Sequence, residues 1–254
     1  MKEWTLKNKK ALVTGSTKGI GLAIAEEFLS LGAEVFIVSR SSENVNNLLN
    51  NWKEKGLNVY GISSDLSLKK GREDLLLEIN KVWNSIDILV NNLGTNIRKK
   101  FLDYTEEEFR IMFETNMFST IDITKSLFPL LQKGNSSSVI NITSYAGLYD
   151  VGTGVPYGMS KSAEIQMTRH LAVEWAQYGI RVNSIAPWFI RTPLTEGLLS
   201  IKEKHESIIN KTPLGRVGLP EEIASLAAYL AMEKASYITG QNILVDGGAS
   251  AKTF

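Results

Sequence analysis

The sequence predicts an α/β fold: a doubly wound, parallel sheet of about seven strands with helices on both faces. Three observations predict it. Short runs rich in β-branched residues alternate with longer segments of helical periodicity along the whole chain. The candidate strands are almost continuously apolar, as in strands that are covered on both faces. A glycine-rich turn, residues 14–21, joins the first strand to the first helix.

Each element follows from this alternation in chain order. The apolar, β-branched segments predict strands at 10–14, 34–39, 57–62, 87–91, 138–143, 181–186 and 242–245. Helical periodicity predicts helices between them at 20–31, 42–55, 69–82, 105–132, 156–177 and 220–232. Right-handed crossovers then bring the carboxyl ends of the strands to one edge of the sheet, where such folds bind ligands.

One long segment, 187–219, departs from the alternation. It contains three prolines and a short helical stretch near 196–209. Long irregular segments inside compact domains often cover binding sites. We therefore expect a partly helical lid here, within a single domain that spans residues 1–254.

Composition excludes several classes of function. The 28 basic and 27 acidic residues give a net charge of +1, so no overall field attracts nucleic acid or membrane. There are no cysteines, and His170 and His205 lack metal-ligand spacing, which predicts no metal site. No apolar run approaches the roughly 18 residues that span a bilayer. We expect a cytoplasmic protein with neither a nucleic-acid nor a membrane partner.

The glycine-rich turn predicts a dinucleotide site. Glycine permits a tight turn and lets the backbone approach a pyrophosphate, and the N-terminus of the following helix offers free N–H groups. The strand–turn–helix context favours this interpretation over a simple tight turn. The predicted cofactor contacts in the turn are Gly15, Ser16, Thr17, Lys18, Gly19, Ile20 and Gly21.

The end of the second strand predicts a preference for NADP(H) over NAD(H). An NAD site would carry an acidic residue about 20 residues past the glycine motif, to bind the ribose 2′-hydroxyl. This chain has Ser39 and Arg40 there. A guanidinium suits a 2′-phosphate, and Lys18 can add a second positive charge. The alternative is that both are solvated cations.

Two further strand ends are predicted to meet the cofactor. Asp65 and Leu66 follow the third strand, where the carboxylate could accept a hydrogen bond from the adenine amino group. An N-cap role is the alternative for Asp65. Asn92 and Gly94 lie at the end of the fourth strand, on the ligand-binding edge, although its asparagines could serve only the turn.

Tyr157 and Lys161 lie four residues apart on one face of a predicted helix. Tyrosine, with a reference pKa near 10, is a poor base at neutral pH, and an adjacent ammonium favours the phenolate. Tyr157 is the predicted general acid, Lys161 is also predicted to hydrogen-bond the nicotinamide ribose, and both count as cofactor contacts. Ser144, at the end of the fifth strand, can donate a hydrogen bond to a carbonyl. Asn116 is a polar residue in an apolar helical run, where we expect a water bridge to Lys161; a cap or kink is the alternative. These groups predict proton transfer coupled to hydride transfer.

The aromatic and apolar residues near these positions predict a compact, partly apolar substrate. The candidate contacts are Tyr145, Tyr149, Trp188, Phe189, Leu194 and Leu198. Asp150 could hold a cationic or hydroxylated group. The run Arg98-Lys99-Lys100 is a candidate basic patch for an acyl-carrier protein.

Together these motifs resemble the short-chain dehydrogenase/reductase superfamily over essentially the whole chain, which implies a Rossmann-type fold. The residues that match its cofactor turn are Gly15, Gly19 and Gly21. Those that match its Asn-Asn-Ala-Gly motif are Asn91, Asn92 and Gly94. Those that match its catalytic tetrad are Asn116, Ser144, Tyr157 and Lys161. Those that match its nicotinamide-carboxamide segment are Pro187, Ile190 and Thr192.

The resemblance also has departures and a subgroup. Leu93 and Trp188 stand where the family usually has alanine and glycine. The stretches 4–6, 39–40 and 187–193 look most like tropinone-reductase-like members. Family members commonly pair through the tyrosine helix and the helix before it, which implies a homotetramer or homodimer.

The expected activity is NADP(H)-dependent interconversion of a small to medium ketone and its secondary alcohol. The alternatives are a 3-oxoacyl-[acyl-carrier-protein] reductase or a sugar or polyol dehydrogenase of the gluconate type. A non-catalytic regulator that senses nucleotides is more remote, because all four catalytic positions are intact.

Overall fold

One seven-stranded, all-parallel sheet organises residues 3–252, the part of the chain that the computed structural model describes. The strands are β1 (Lys10–Thr14), β2 (Glu34–Ser39), β3 (Val59–Ser63), β4 (Ile88–Asn91), β5 (Ser138–Ile142), β6 (Arg181–Pro187) and β7 (Asn242–Val245). Their order is β3-β2-β1-β4-β5-β6-β7. The predicted doubly wound parallel sheet is confirmed. The strand order reverses between β1 and β4, so a ligand crevice opens at their carboxyl ends.

Helices cover both faces of this sheet. They are α1 (Gly19–Ser30), α2 (Ser42–Glu54), α3 (Lys69–Val82), α4 (Glu106–Phe113), α5 (Ser119–Gln132), α6 (Val155–Trp175), α7 (Pro193–Leu199), α8 (Lys202–Lys211) and α9 (Pro220–Ala231). Helices α1, α2 and α9 contribute to one buried apolar cluster, and α3, α5 and α6 contribute to the other. Burial of a large apolar side chain contributes about 1.5–3 kcal/mol. Among residues 3–252, no helix is both long and apolar enough to cross a bilayer.

The helix predicted over 105–132 is three segments. Helix α4 passes into a π-helical segment at Glu114–Phe118 before α5 begins. The Thr120 hydroxyl donates to the backbone carbonyl of Asn116 at 2.9 Å, and the Ser119 hydroxyl donates to that of Thr115 at 2.5 Å. Such side-chain bonds to carbonyls compete with the regular helical ladder. Hydrophobic periodicity continues through the π-helical segment, which is why the sequence predicts a single continuous helix over 105–132.

The lid segment is folded rather than irregular. It holds α7 and α8, which meet at residues 200–201, where the sequence predicts one helical stretch. Phe189, Ile208 and Val217 form a small buried cluster of their own. This cluster and the backbone bridge between Ile190 and Gly218 attach the segment to the end of β6.

Candidate active site

A cleft of about 520 Å³ lies at the carboxyl ends of β1, β2 and β4. It brings together most of the predicted cofactor contacts. Those that line it are Gly15, Thr17, Lys18, Gly19, Ile20, Ser39, Arg40, Leu66, Asn92, Gly94 and Thr192. The remaining predicted cofactor contacts are not part of its lining, and two of them, Ser16 and Gly21, support the glycine-rich turn.

Asn92 holds the glycine-rich turn in place. Its side-chain amide donates to the carbonyls of Thr14 and Gly15 at 3.0 and 3.1 Å, while the Thr14 hydroxyl accepts from the Asn92 N–H at 2.9 Å. A Cβ on Gly21 would lie 2.4 Å from both the Asn92 amide nitrogen and the Gly15 carbonyl oxygen. Gly21 is therefore required by packing of the turn against β4. The Ser16 hydroxyl is likewise structural, because it accepts from Val38 N–H at 3.0 Å.

Lys18 and Arg40 are exposed at the cleft, and neither side chain has a hydrogen bond or ion pair within residues 3–252. None of the described residues that line the cleft is acidic. A phosphate placed there would meet positive charge and backbone N–H groups without a competing carboxylate. The residues present thus fit a phosphorylated dinucleotide.

Asp65 does not cap α3, and its contact with the adenine stays a prediction. Its carboxylate accepts from the Ser67 N–H and hydroxyl at 3.0 and 2.7 Å, and it does not line the cleft. Helix α3 begins at Lys69 with Leu68 at its N-cap, so Asp65 is not the cap. Aspartate commonly bonds the backbone two residues on, and this local turn uses the side chain.

Lys161 lies buried in the second turn of α6. Its ammonium donates to the Ile142 carbonyl at 3.0 Å and to the Glu164 carboxylate at 2.7 Å. A Cβ on Gly94 would be 3.7 Å from the Lys161 nitrogen, which places the ammonium at the wall of the cofactor cleft. An ammonium has three N–H donors, and two are used by these acceptors. The third is left for a ligand group on the cleft side.

Electrostatics keep this lysine charged. Burial acts to lower the pKa of Lys161, but the charges of Glu164 and Tyr157 and the hydrogen bond that Lys161 donates to Glu164 raise it above its ordinary value. Burial also raises the pKa of Glu164 to about 7, against the opposing effects of Lys161 and Thr120. Glu164 was missed from the sequence. The available signal was its spacing, since positions 157, 161 and 164 share one helix face.

Asn116 lies in the π-helical segment and is fully buried. Its side-chain amide donates to the Thr95 carbonyl at 3.0 Å and to the Ser160 hydroxyl at 3.1 Å, and it accepts from Thr95 N–H at 2.8 Å. Ser160 in turn donates to the Tyr157 carbonyl at 2.8 Å. Asn116 thus ties the segment after β4 to the helix of the catalytic pair. Its water bridge to Lys161 stays a prediction.

Ser144 lies two residues after the end of β5 and caps a short 3-10 turn at Tyr145–Gly147. Its hydroxyl oxygen accepts from Ala146 N–H at 3.1 Å, which leaves the O–H free to donate to a ligand. The turn is pressed against α6, because a Cβ on Gly147 would lie 2.9 Å from the Lys161 backbone carbon. Tyr157 is half-buried in the first turn of α6, and it lies close enough to Lys161 to raise the pKa of that lysine.

A second cavity, of about 740 Å³, lies between the Ser144 turn and the lid. Tyr145, Tyr149, Trp188 and Phe189 line it as one aromatic cluster, in which successive ring centroids are 4.5–4.7 Å apart. Leu198 lines the cavity as predicted. Leu194, predicted as a substrate contact, lines the cofactor cleft and not the second cavity.

Not every residue of the predicted site lines a cavity. Pro187 is the last residue of β6, and Ile190 is buried and forms a backbone bridge to Gly218. Both residues therefore hold the start of the lid segment against the sheet. Asp150 does line the second cavity, with one carboxylate oxygen accepting from Gly152 N–H at 2.9 Å.

Four cationic side chains also line the second cavity. Arg98 belongs to the predicted basic patch for an acyl-carrier protein, whereas the sequence predicts no role for Lys204, Lys211 and Lys252.

Comparison with known proteins identifies the family. A family model described as Enoyl-(Acyl carrier protein) reductase matches residues 15–250. A tropinone reductase homolog of Arabidopsis thaliana is 45% identical over 254 residues, which cover 100% of this chain and 96% of that protein. A tropinone reductase homolog of Datura stramonium is 40% identical over 257 residues, covering 100% and 96%.

Solved structures agree in fold. The Pseudomonas aeruginosa RhlG/NADP active-site complex superposes with a TM-score of 0.92 at 34% identity, over 98% of this chain and 99% of that one. A gluconate 5-dehydrogenase from Burkholderia cenocepacia, in complex with NADP and tartrate, superposes with a TM-score of 0.93 at 26% identity, over 98% of both chains. With the cofactor turn, the Ser144 turn and the Tyr157–Lys161 pair in one arrangement, the chain belongs to the short-chain dehydrogenase/reductase family, as an oxidoreductase similar to the tropinone reductase homologs.

Proposed function

We propose that this chain is an NADP(H)-dependent reductase that converts a small to medium ketone into its secondary alcohol. One observation carries the proposal. The buried Lys161 ammonium is held by Ile142 and Glu164 at the wall of the cofactor cleft, one helical turn after Tyr157. A cofactor cleft on one side and an aromatic cavity on the other then suit hydride transfer to a carbonyl carbon.

The side chains have distinct roles in this reaction. The nicotinamide, when bound, supplies the hydride. As negative charge develops on the substrate oxygen, Tyr157 gives its hydroxyl proton to that oxygen, and the free O–H of Ser144 donates a second hydrogen bond to it. The Lys161 ammonium stabilises the phenolate that remains. Asn116 positions the unit through its bonds to Thr95 and Ser160.

The preference for NADP(H) rests on charge. Arg40 and Lys18 line the cleft at the end of β2 and in the glycine-rich turn, and no acidic residue among the described lining competes with a 2′-phosphate. The P. aeruginosa and B. cenocepacia neighbours were solved with NADP, which supports the same choice. A Gly-rich turn alone would serve either cofactor.

The alternatives have less support. For an acyl-carrier protein, the basic run at 98–100 is reduced, because Lys99 pairs with Glu108. A non-catalytic nucleotide sensor would have no use for a buried lysine held by Glu164. A dehydrogenase of the gluconate type shares the same machinery, and it differs from the leading proposal only in substrate.

Assembly is proposed to use helices α5 and α6. Their outer faces form an apolar groove of about 560 Å³, lined by side chains that include Ile121, Phe128, Met167, Leu171 and Trp175. An exposed apolar groove of this kind marks an interaction surface. A second copy of the chain, in a homodimer or homotetramer, is the proposed occupant.

The reaction is tested by Tyr157→Phe, assayed as ketone-dependent loss of NADPH absorbance across a ketone panel. Loss of the proton donor should lower kcat by about 10²–10⁴-fold, while the Kd for NADPH stays within about twofold. Tyr237→Phe is the matched control, because Tyr237 is fully exposed and should leave kcat unchanged. Near-normal turnover of Tyr157→Phe would sink the mechanism, and no turnover of any ketone by the natural chain would sink the proposed function.

A further inference from the structure

The aromatic cavity carries an unusual set of positive charges on the lid. In α8, Lys204, Ile208 and Lys211 are spaced by four and three residues, so they share one face of the helix. Ile208 is only 6% exposed, which identifies this face as the one that packs towards the protein. Lys204 and Lys211 both line the cavity beside it. The helix therefore directs two lysines to the same opening.

Two more cations reach this cavity from other parts of the chain. Arg98 comes from the segment after β4, and Lys252 comes from the C-terminal region. The Lys252 ammonium donates to the Asn210 carbonyl at 2.6 Å, which fixes it at the C-terminal end of α8. Asp150 is the one acidic residue among the described cavity lining, and one of its oxygens is used by Gly152 N–H.

These cations have no acidic partner among residues 3–252. Within residues 3–252, Arg98, Lys204 and Lys211 form no ion pair and no side-chain hydrogen bond. Two nearby lysines that do not line the cavity are paired: Lys202 with Glu206 at 4.0 Å, and Lys99 with Glu108. Since the whole chain has a net charge of only +1, the positive charge at this opening is local.

Like charges gathered around a cavity repel one another, and an anion relieves that repulsion. The aromatic cluster, which includes Tyr145 directly after Ser144, supplies an apolar surface in the same cavity. We propose that the substrate is a keto acid: its carboxylate is bound by Arg98, Lys204, Lys211 and Lys252, and its carbon skeleton lies against the aromatic cluster with the ketone towards Ser144 and Tyr157. This inference rests on the proposed reductase activity and names its substrate class.

A small carboxylate is favoured over an acidic carrier protein. The four cations are exposed, but they line one cavity together with buried apolar residues such as Phe189 and Ile208, and only a ligand small enough to enter that cavity would contact both sets. A cationic amino ketone is disfavoured, since it would meet four positive groups and one carboxylate.

The test compares keto acids with their methyl esters over a range of chain lengths, with an amino ketone as the third arm. For the best pair, kcat/KM for the acid should exceed that for the ester by at least about tenfold at low salt, and the ratio should fall as salt is added, because exposed charges are screened. The double variant Lys204→Gln/Lys211→Gln should lose about tenfold for the acid and stay within about twofold for the ester. Lys202→Gln, on the paired face of the same helix, is the control and should change neither.

A binding measurement keeps this test separate from the activity. Calorimetric titration of the acid and the ester into the chain, at saturating NADP⁺, should show the same preference and the same loss in the double variant. Equal binding of acid and ester, an equal loss of both in the double variant, or preference for the amino ketone would overturn the inference. Turnover confined to acyl-carrier-protein thioesters would overturn it too. Absence of NADPH oxidation with every ketone, alongside selective acid binding, would overturn only the proposed activity.

Discussion

Replacing Gly21 with alanine tests how the cofactor turn is held. Gly21 is the third residue of α1, and its missing side chain leaves room for Asn92 and for the carbonyl of Gly15. Sequence reasoning assigns this glycine to the cofactor. The structure also gives it a packing role, because the Asn92 amide crosses that space to bond Thr14 and Gly15 at 3.0 and 3.1 Å.

The cost follows from the geometry. The added methyl carbon would lie 2.4 Å from the Asn92 nitrogen and 2.4 Å from the Gly15 oxygen, roughly 1 Å inside ordinary contact distance. Overpacking costs about 1–3 kcal/mol, and the loss of two hydrogen bonds costs about 1 kcal/mol each. Alanine regains up to about 1 kcal/mol of helix propensity. We expect the free energy of unfolding to fall by about 2–4 kcal/mol.

The assay is urea unfolding at fixed protein concentration, followed by circular dichroism, with the free energy obtained by linear extrapolation. Fluorescence titration with NADPH should show a Kd raised at least about tenfold, because Gly15 and Asn92 both line the cleft. Gly197→Ala is the matched control: it also lies in a helix, and its Cβ would have no neighbour within 4 Å. It should be neutral or stabilise by up to about 1 kcal/mol. A Gly21→Ala protein within about 0.5 kcal/mol of the natural chain, with unchanged Kd, would refute the packing argument.

Two other predictions concern the cofactor and the assembly. Arg40→Asp removes the cation at the end of β2 and adds a carboxylate that can bind a ribose hydroxyl, so the ratio of kcat/KM for NADPH to that for NADH should fall by at least about tenfold; an unchanged ratio would rule out the assigned role. Met167→Asp places a charge in the half-buried groove of α5 and α6. It should shift the sedimentation coefficient towards that of a monomer, and sedimentation identical to that of the natural chain would exclude this groove as the interface.

Local patterns predicted much of the fold. The strands at Lys10–Thr14, Glu34–Ser39 and Asn242–Val245 and the helix at Lys69–Val82 agree in both ends with their predicted ranges. Errors arose where a backbone bond overrides the pattern. Strand β3 begins at Val59 instead of 57, because Leu57 N–H still bonds the Trp52 carbonyl at the end of α2.

The candidate site also contains residues whose relation follows from local spacing and residues that only tertiary contacts bring into place. Tyr157 and Lys161 are neighbours on one helix, and Gly15 and Gly19 lie in one turn, so their relation is readable from spacing alone. Leu194 was assigned to the substrate because the lid is apolar, yet it lines the cofactor cleft. The start of α7 is placed by the packing of Thr192 and Pro193 near Gly19, a contact between parts of the chain that are distant in sequence.

The sequence by itself determined the alternation of strands and helices, the cofactor turn and the tyrosine–lysine pair, because each is set by neighbours within a few residues. Only the tertiary structure decided the electrostatics. Glu164 acts on the charge of Lys161 because both side chains are buried and lie 2.7 Å apart. The cationic cavity exists because the chain returns three times, at Arg98, α8 and Lys252, to one opening. Coulomb interactions depend on distance and burial, and neither is encoded in any single stretch of the chain.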